Sequence, residues 1–231
     1  MVKNHLKRLN APKTWPIDRK KTIWVSRPNP GAHAISRCIP LSVAMREVLK
    51  HAKTLHEAQY ITNKNPIFVD QKERKEIRFG VGLMDTLSIP MIKENYRVSI
   101  DKKGKLAFVA IDDKESHLKI SKITSKSVVK GKVNLGTHDG RTFPVAKDEY
   151  KTGDSLLVEL PGQKIKEHLK LEKNATVFLI GGKYVGTTGT VEDLKEKKIL
   201  IKTADKHTFE TAKEYAFVVG KDKPLIMLHQ K

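Results

Sequence analysis

The run Thr54-Leu55-His56-Glu57-Ala58-Gln59-Tyr60-Ile61-Thr62-Asn63-Lys64-Asn65-Pro66-Ile67-Phe68-Val69-Asp70-Gln71-Lys72 holds a helix start, a helix stop and the opening of a strand. Thr54-x-x-Glu57 has the spacing of a capping box, in which the threonine oxygen and the glutamate carboxylate each accept from an amide that the first helical turn leaves unpaired. Proline at 66 disfavours helical backbone at Asn65, so the helix is predicted to end at about Lys64. Upstream, Pro40 opens another helical pattern. Leu41, Ala44, Met45, Val48, Leu49 and Ala52 recur at helical spacing as one apolar stripe, with Arg46, Lys50 and Lys53 on another face. Downstream, Ile67-Phe68-Val69 and Ile77-Arg78-Phe79 flank the polar residues 70–74, which predicts a β-hairpin, and Val81 to Ile89 supplies a further strand.

Beyond this helix pair the apolar period changes to two. Val98 and Ile100, a Lys102-Lys103-Gly104 turn, then Leu106 and Phe108 alternate, and Leu118 and Ile120 continue the pattern. Asp139-Gly140, between Val133–Leu135 and Thr142–Val145, signals a tight turn, and Ser155–Leu160 is closed by Pro161-Gly162. Short strands at this spacing predict a small β-barrel or half-barrel. Farther on, Val177-Phe178-Leu179-Ile180-Gly181-Gly182-Lys183-Tyr184-Val185-Gly186-Thr187-Thr188-Gly189-Thr190-Val191 carries four glycines that permit turns and let another backbone approach closely. They leave Lys183 and Tyr184 at a protruding loop, and Ile199–Ile201 with the Phe209 region complete a second small barrel.

Charge points to the partner. The 231 residues carry 45 Lys+Arg against 26 Asp+Glu, a formal net charge of +19, so a polyanion is expected. Up to Arg37, Lys3, Lys7, Arg8, Lys13, Arg19, Lys20, Lys21, Arg27 and Arg37 are opposed by Asp18 alone, a net +8. Pro12, Pro16, Pro28 and Pro30 forbid a long helix or central strand there, so the segment is predicted to be an extended basic arm. With its charge uncompensated, it is expected to be disordered until it meets RNA. Trp15 and Trp24 either stack on bases or dock the arm onto the body. One cysteine, Cys38, excludes an internal disulfide framework and a multi-thiolate zinc site. No apolar run approaches the ~20 residues of a membrane-spanning helix, and the basic N-terminus leads into no signal-peptide core, so an intracellular protein is expected.

The residues of 40–89, with the Thr54-x-x-Glu57-Ala58 helix start, Ile67 to Lys72, and Leu83-Met84-Asp85-Thr86-Leu87-Ser88-Ile89, resemble the α-L RNA-binding motif. In that family the basic face of the helices lies against RNA backbone, which here implies Arg46, Lys50, Lys53 and His56, with Lys72 and Arg74 at the hairpin. Residues 177–191 resemble a KOW motif, which implies RNA contact by Lys183 and Tyr184. The flanks, His5-Leu6-Lys7-Arg8-Leu9-Asn10-Ala11-Pro12-Lys13-Thr14-Trp15, Arg27-Pro28-Asn29-Pro30-Gly31-Ala32-His33 and Arg37-Cys38-Ile39-Pro40-Leu41, resemble the four-e family of archaeal and eukaryotic small-subunit ribosomal proteins. That resemblance covers essentially the whole chain. It implies a multidomain α+β fold: a basic extension (1–39), an α-L helix-pair and β-hairpin unit (40–100), a central β-barrel-like domain (101–172) and a C-terminal KOW, SH3-like β-barrel with a tail (173–231). The implied partners are small-subunit ribosomal RNA and neighbouring ribosomal proteins on the cytoplasmic ribosome, with no cofactor, metal, membrane or small-molecule substrate.

The rival class is an RNA-modifying enzyme or assembly factor with an appended α-L domain. A pseudouridine synthase places its catalytic aspartate in Gly-Arg-Leu-Asp, whereas Gly140-Arg141 is followed here by Thr142-Phe143. A methyltransferase calls for a Gly-rich turn between strand and helix in a βαβ unit, and Gly182, Gly186 and Gly189 lack G-x-G-x-x-G spacing and lie among strands. No catalytic residue is assigned.

Overall fold

In the computed structural model, which describes residues 4–129, 131–146, 148–203 and 207–228, the chain is mostly β and divides into two units. The first comprises residues 1–101, 105–117 and 228–231. Within it the apolar stripe that begins at Leu41 forms a shorter helix than its periodicity predicts. β1 (Cys38–Pro40) leads into α1 (Leu41–Val43), and a π-helical turn (Ala44–Val48) follows before Lys50 leaves the helix with a φ of 60°. The cause is tertiary. Leu41, Ser42, Val43, Ala44 and Met45 are all buried, so this segment is enclosed on every side, and the wide turn closes with Leu49 N–H donating to Ala44 O at 2.9 Å.

α2 (Leu55–Lys64) begins and ends where the sequence places it, with both halves of the Thr54/Glu57 capping box formed. β2 (Phe68–Val69) then turns into β3 (Lys72–Glu73) through Asp70 and Gln71, whose φ values are 53° and 59°. Two successive left-handed residues make the tight turn that matches strand twist, so the hairpin's second arm is 72–73 rather than the expected 77–79. Residues 77–79 do other work: the carbonyls of Ile77 and Phe79 accept from the N–H groups of Ser42 and Leu41, satisfying donors at the start of α1. The expected strand from Val81 to Ile89 is two strands, β4 (Gly80–Gly82), paired with β1, and β5 (Thr86–Ile89). β6 (Glu94–Ile100), β7 (Leu106–Ala110) and the single turn α3 (Asp113–Ser116) complete the unit, whose antiparallel sheet has the order β3-β2-β5-β6-β7. The expected boundary after residue 100 thus lies inside a hairpin: Ile100 pairs with Leu106 and Tyr96 with Ala110, and the first unit runs on to His117.

The second unit holds two five-stranded antiparallel sheets. β8 (Leu118–Val129), β9 (Lys132–Thr137), β10 (Thr142–Val145), β11 (Ser155–Glu159) and β12 (Lys164–Leu169) form one, in the order β10-β9-β8-β11-β12, over Ile123, Leu135, Phe143, Leu156 and Val158. β13 (Thr176–Leu179), β14 (Thr188–Leu194), β15 (Lys198–Thr203), β16 (Thr208–Ala212) and β17 (Ala216–Gly220) form the other, ordered β16-β15-β14-β13-β17 over Val177, Phe178, Val191, Ile201 and Phe217. A Cβ on Gly189 would sit 2.6 Å from Ile201 Cγ2 and 2.7 Å from Lys202 O, so β14 and β15 approach as closely as they do because that residue is glycine. Lys122 of β8 donates to the carbonyl oxygens of Glu214 at 2.7 Å and Ala216 at 2.6 Å, tying the first of these sheets to the second.

Candidate nucleic-acid interface

The arm's cations divide into two sets. Arg8 is 2% exposed: its guanidinium pairs with the carboxylate of Glu47 on the π-helical turn and donates to Asp18 O at 2.8 Å and Thr22 Oγ1 at 3.0 Å. Arg19 donates to the carbonyl oxygens of Leu9, Ala11 and Pro12. These two were expected to meet RNA; instead they fold the arm, because unpaired backbone carbonyls and a carboxylate within reach compensate a guanidinium without outside help. The arm is accordingly docked, contrary to the disorder expected of it. Trp15, 1% exposed, donates through Nε1 to Cys38 O at 2.7 Å, and His33 pairs with Asp85 at 3.1 Å. Trp24 differs, at 53% exposed with its ring edge-on to His5.

Lys7, Lys13, Lys20, Lys21 and Arg37 are exposed, whereas Arg27 is half-buried and its carbonyl accepts from Arg78 Nε at 3.1 Å. Lys3 lies outside the described residues. Arg78 was not singled out in the sequence, yet it and Arg27 line one cleft of about 160 Å³ with Asn4. Nothing in 77–79 distinguished it from a strand residue.

On the stretch that resembles the α-L motif, Lys50, Lys53, His56 and Lys72 are exposed and Arg46 and Arg74 half-buried. Lys50 and Lys53 do not share a helical face with Arg46, since the helix has ended before them. Arg74 Cζ lies over the Phe79 ring, 4.2 Å from its centre, a cation–π contact made by a half-buried guanidinium. In the loop from β13 to β14, Gly182 and Gly186 take φ values of 83° and 75°, and Lys183 stands 5.6 Å from the Tyr184 ring. Tyr184 stacks on Phe209 with centres 3.8 Å apart, so one aromatic face is already taken.

Ionisable groups inside the fold are paired rather than reactive. Burial resists ionisation of Asp139, but Lys119, at 3.0 Å, together with His138 and the Thr137 hydroxyl, outweighs it and holds the carboxyl well below its usual range. Burial, then the charge of Asp85, pushes the Cys38 thiol up to about 11, so it stays protonated and is a poor nucleophile.

The family model described as "Ribosomal family S4e" matches residues 92–165, and the RS4NT (NUC023) domain matches 2–36. The small ribosomal subunit protein eS4 of Methanocella arvoryzae is 40% identical over 232 residues, spanning 98% of each chain. That of Methanosphaera stadtmanae is 39% identical, spanning 98% of this chain and 96% of its own. The crystal structure of the 30S ribosomal protein S4e from Thermoplasma acidophilum superposes with a TM-score of 0.70 at 32% identity, covering 80% of this chain and 96% of that one.

Proposed function

The chain belongs to the S4e family of ribosomal proteins, and from that premise we propose how it holds RNA. It is a structural constituent of the small ribosomal subunit and not an enzyme. Its partners are the ribosomal RNA of that subunit and neighbouring ribosomal proteins. In this proposal the exposed cations of the arm, the α-L stretch with Lys50, Lys53, His56 and Lys72, the central sheet and the KOW stretch with Lys183 and Tyr184 act as modules in series. Each neutralises phosphates weakly alone; joined in one chain, each holds the next at high effective concentration. Shape and backbone, rather than base sequence, supply most of the recognition.

The observation that carries the reading is the arm. Lys7, Lys13, Lys20, Lys21 and Arg37 remain exposed after Arg8 and Arg19 have been used to dock it, and Asp18 is the sole acid up to Arg37. Ultraviolet crosslinking of purified small subunits, read by mass spectrometry, tests it. Crosslinks to RNA are expected in 4–37, in 50–74 and at Lys183–Tyr184. Subunits whose arm gives no RNA crosslink would contradict it.

A further inference from the structure

We propose that a recess in the first unit receives one unpaired guanine base of RNA, an inference that rests on the RNA-binding reading above. The recess is open to solvent on one side, offers about 450 Å³, room for a base and its ribose, and is lined by Phe68, Gln71, Ser88, Lys93, Asn95 and Asp113 together with Pro90. Strand register builds it. Phe68 of β2 lies directly opposite Ser88 of β5, and Ser88 directly opposite Asn95 of β6, so the three form one row across three strands. Asn95 Nδ2 donates to Asp113 Oδ1 at 3.3 Å, which brings the carboxylate of α3 to the end of that row. Gln71 is pinned to Ser116 Oγ at 3.0 Å, and Lys93, in left-handed backbone with a φ of 55°, follows the Pro90–Ile92 turn.

Ser88 supplies an independent observation. It is 6% exposed, and its Oγ is buried with no hydrogen-bond partner among the described residues. The hydroxyls of Ser42, Thr86, Ser99 and Ser155 are likewise unpaired among the described residues, and Ser88 is the one of these that lines the recess, within reach of a ligand there.

The lining selects the ligand. Guanine presents two adjacent donors, N1–H and N2–H, on its Watson–Crick edge, and a carboxylate presents two adjacent acceptors. Adenine and uracil each offer one donor there. The Phe68 ring supplies an apolar wall for the base, as aromatic side chains do for splayed nucleotides, and Lys93 stands where a phosphate would follow. An arginine from a neighbouring protein would also fit a carboxylate. Lys93 in the recess repels a cation and attracts a phosphate, which favours RNA, while Glu73, directly opposite Phe68 across the hairpin, adds a carboxylate at the other end of the row.

The test uses the full-length protein and fluorescent decamers of uridine, with uridine, guanosine, inosine or adenosine at one central position, at low salt. Wild type should bind the guanosine decamer about tenfold more tightly than the uridine or adenosine ones, with inosine, which lacks the N2 amino group, in between. Asp113→Asn should lose that preference while binding the all-uridine decamer as wild type does. Ser88→Ala, which removes an unpaired hydroxyl, should keep its thermal stability and weaken the guanosine decamer alone by about threefold. Equal wild-type affinity for all four, or a guanosine preference that neither variant changes, overturns the recess and leaves the charge-based reading standing. Equal affinities accompanied by shifts of the Asn95 and Asp113 resonances on adding N-acetyl-arginine amide would assign it to a protein side chain instead. If no decamer binds at low salt, both readings fall.

Discussion

Asp139 shows how a single residue carries more than its sequence signal. As half of an Asp-Gly pair it marks the turn between β9 and β10, and Gly140 there has a φ of 71°. The structure adds a second role: its carboxylate is buried against Lys119 at 3.0 Å and Arg141 at 3.3 Å and accepts from Ser121 and Thr137. The carboxyl titrates lower in the folded chain than its ordinary value of 3.8, so the unfolded chain takes up the proton first. Its stabilisation is therefore present above about pH 4 and is lost as pH falls below that value. Asp139→Asn should destabilise the chain at pH 7 by about 3–5 kcal/mol, because it removes the buried carboxylate that faces Lys119, and should flatten the acid limb of stability. Urea unfolding at pH 7 and pH 3 checks both. The turn was legible because it is a local dipeptide; the ion pair was not, because Lys119 and Asp139 meet only once β8 and β9 are in register. The same distinction governs Arg8. Its charge was visible, but its partner Glu47 is 39 residues away, and a cation whose acid is remote reads as free.

Elements were legible in proportion to how local their causes are. The capping box of α2 needs four residues, all adjacent in sequence, and it formed as read. Thr54→Ala should cost about 1 kcal/mol, measured as a fall in the urea midpoint at unchanged slope. The helix before it was overextended because periodicity assumes one solvent face, whereas Leu41–Met45 are all buried and Glu47 beyond them is held by Arg8 of the arm. Lys50 and Lys53, exposed and outside the helix, are positioned by the loop instead. Charge reversal at both, Lys50→Glu with Lys53→Glu, should leave stability within about 0.5 kcal/mol of wild type and weaken RNA binding. A double variant that unfolds, or that binds RNA as wild type does, would place those side chains elsewhere than on the interface. β14 and β15 illustrate a third case. Their close approach at Gly189 was readable from glycine density, and Gly189→Ala should destabilise the second unit by about 1–3 kcal/mol through the contacts with Ile201 and Lys202. Thermal unfolding of that variant supplies the check.

At the scale of the molecule, a net charge of +19 on 231 residues was the strongest signal for function and a weak one for architecture. Charge counts ignore which cations the fold consumes. Arg8, Arg19, Lys119 and Lys122 are engaged in holding the chain together, and the set proposed to face RNA is drawn from what remains exposed. Unit boundaries were the least legible feature, because the turn at 102–104 looks the same in sequence whether it joins two domains or two strands of one hairpin. The central claim is that several modules neutralise phosphates together, and the salt dependence of binding to small-subunit ribosomal RNA tests it most directly. Each phosphate neutralised releases condensed counterions, so log affinity against log salt should fall with a slope of roughly −0.7 to −0.9 per contact and be steeper than about −4 overall. A slope near −1 would mean that the charge excess is bystander surface and would contradict the multi-module mechanism.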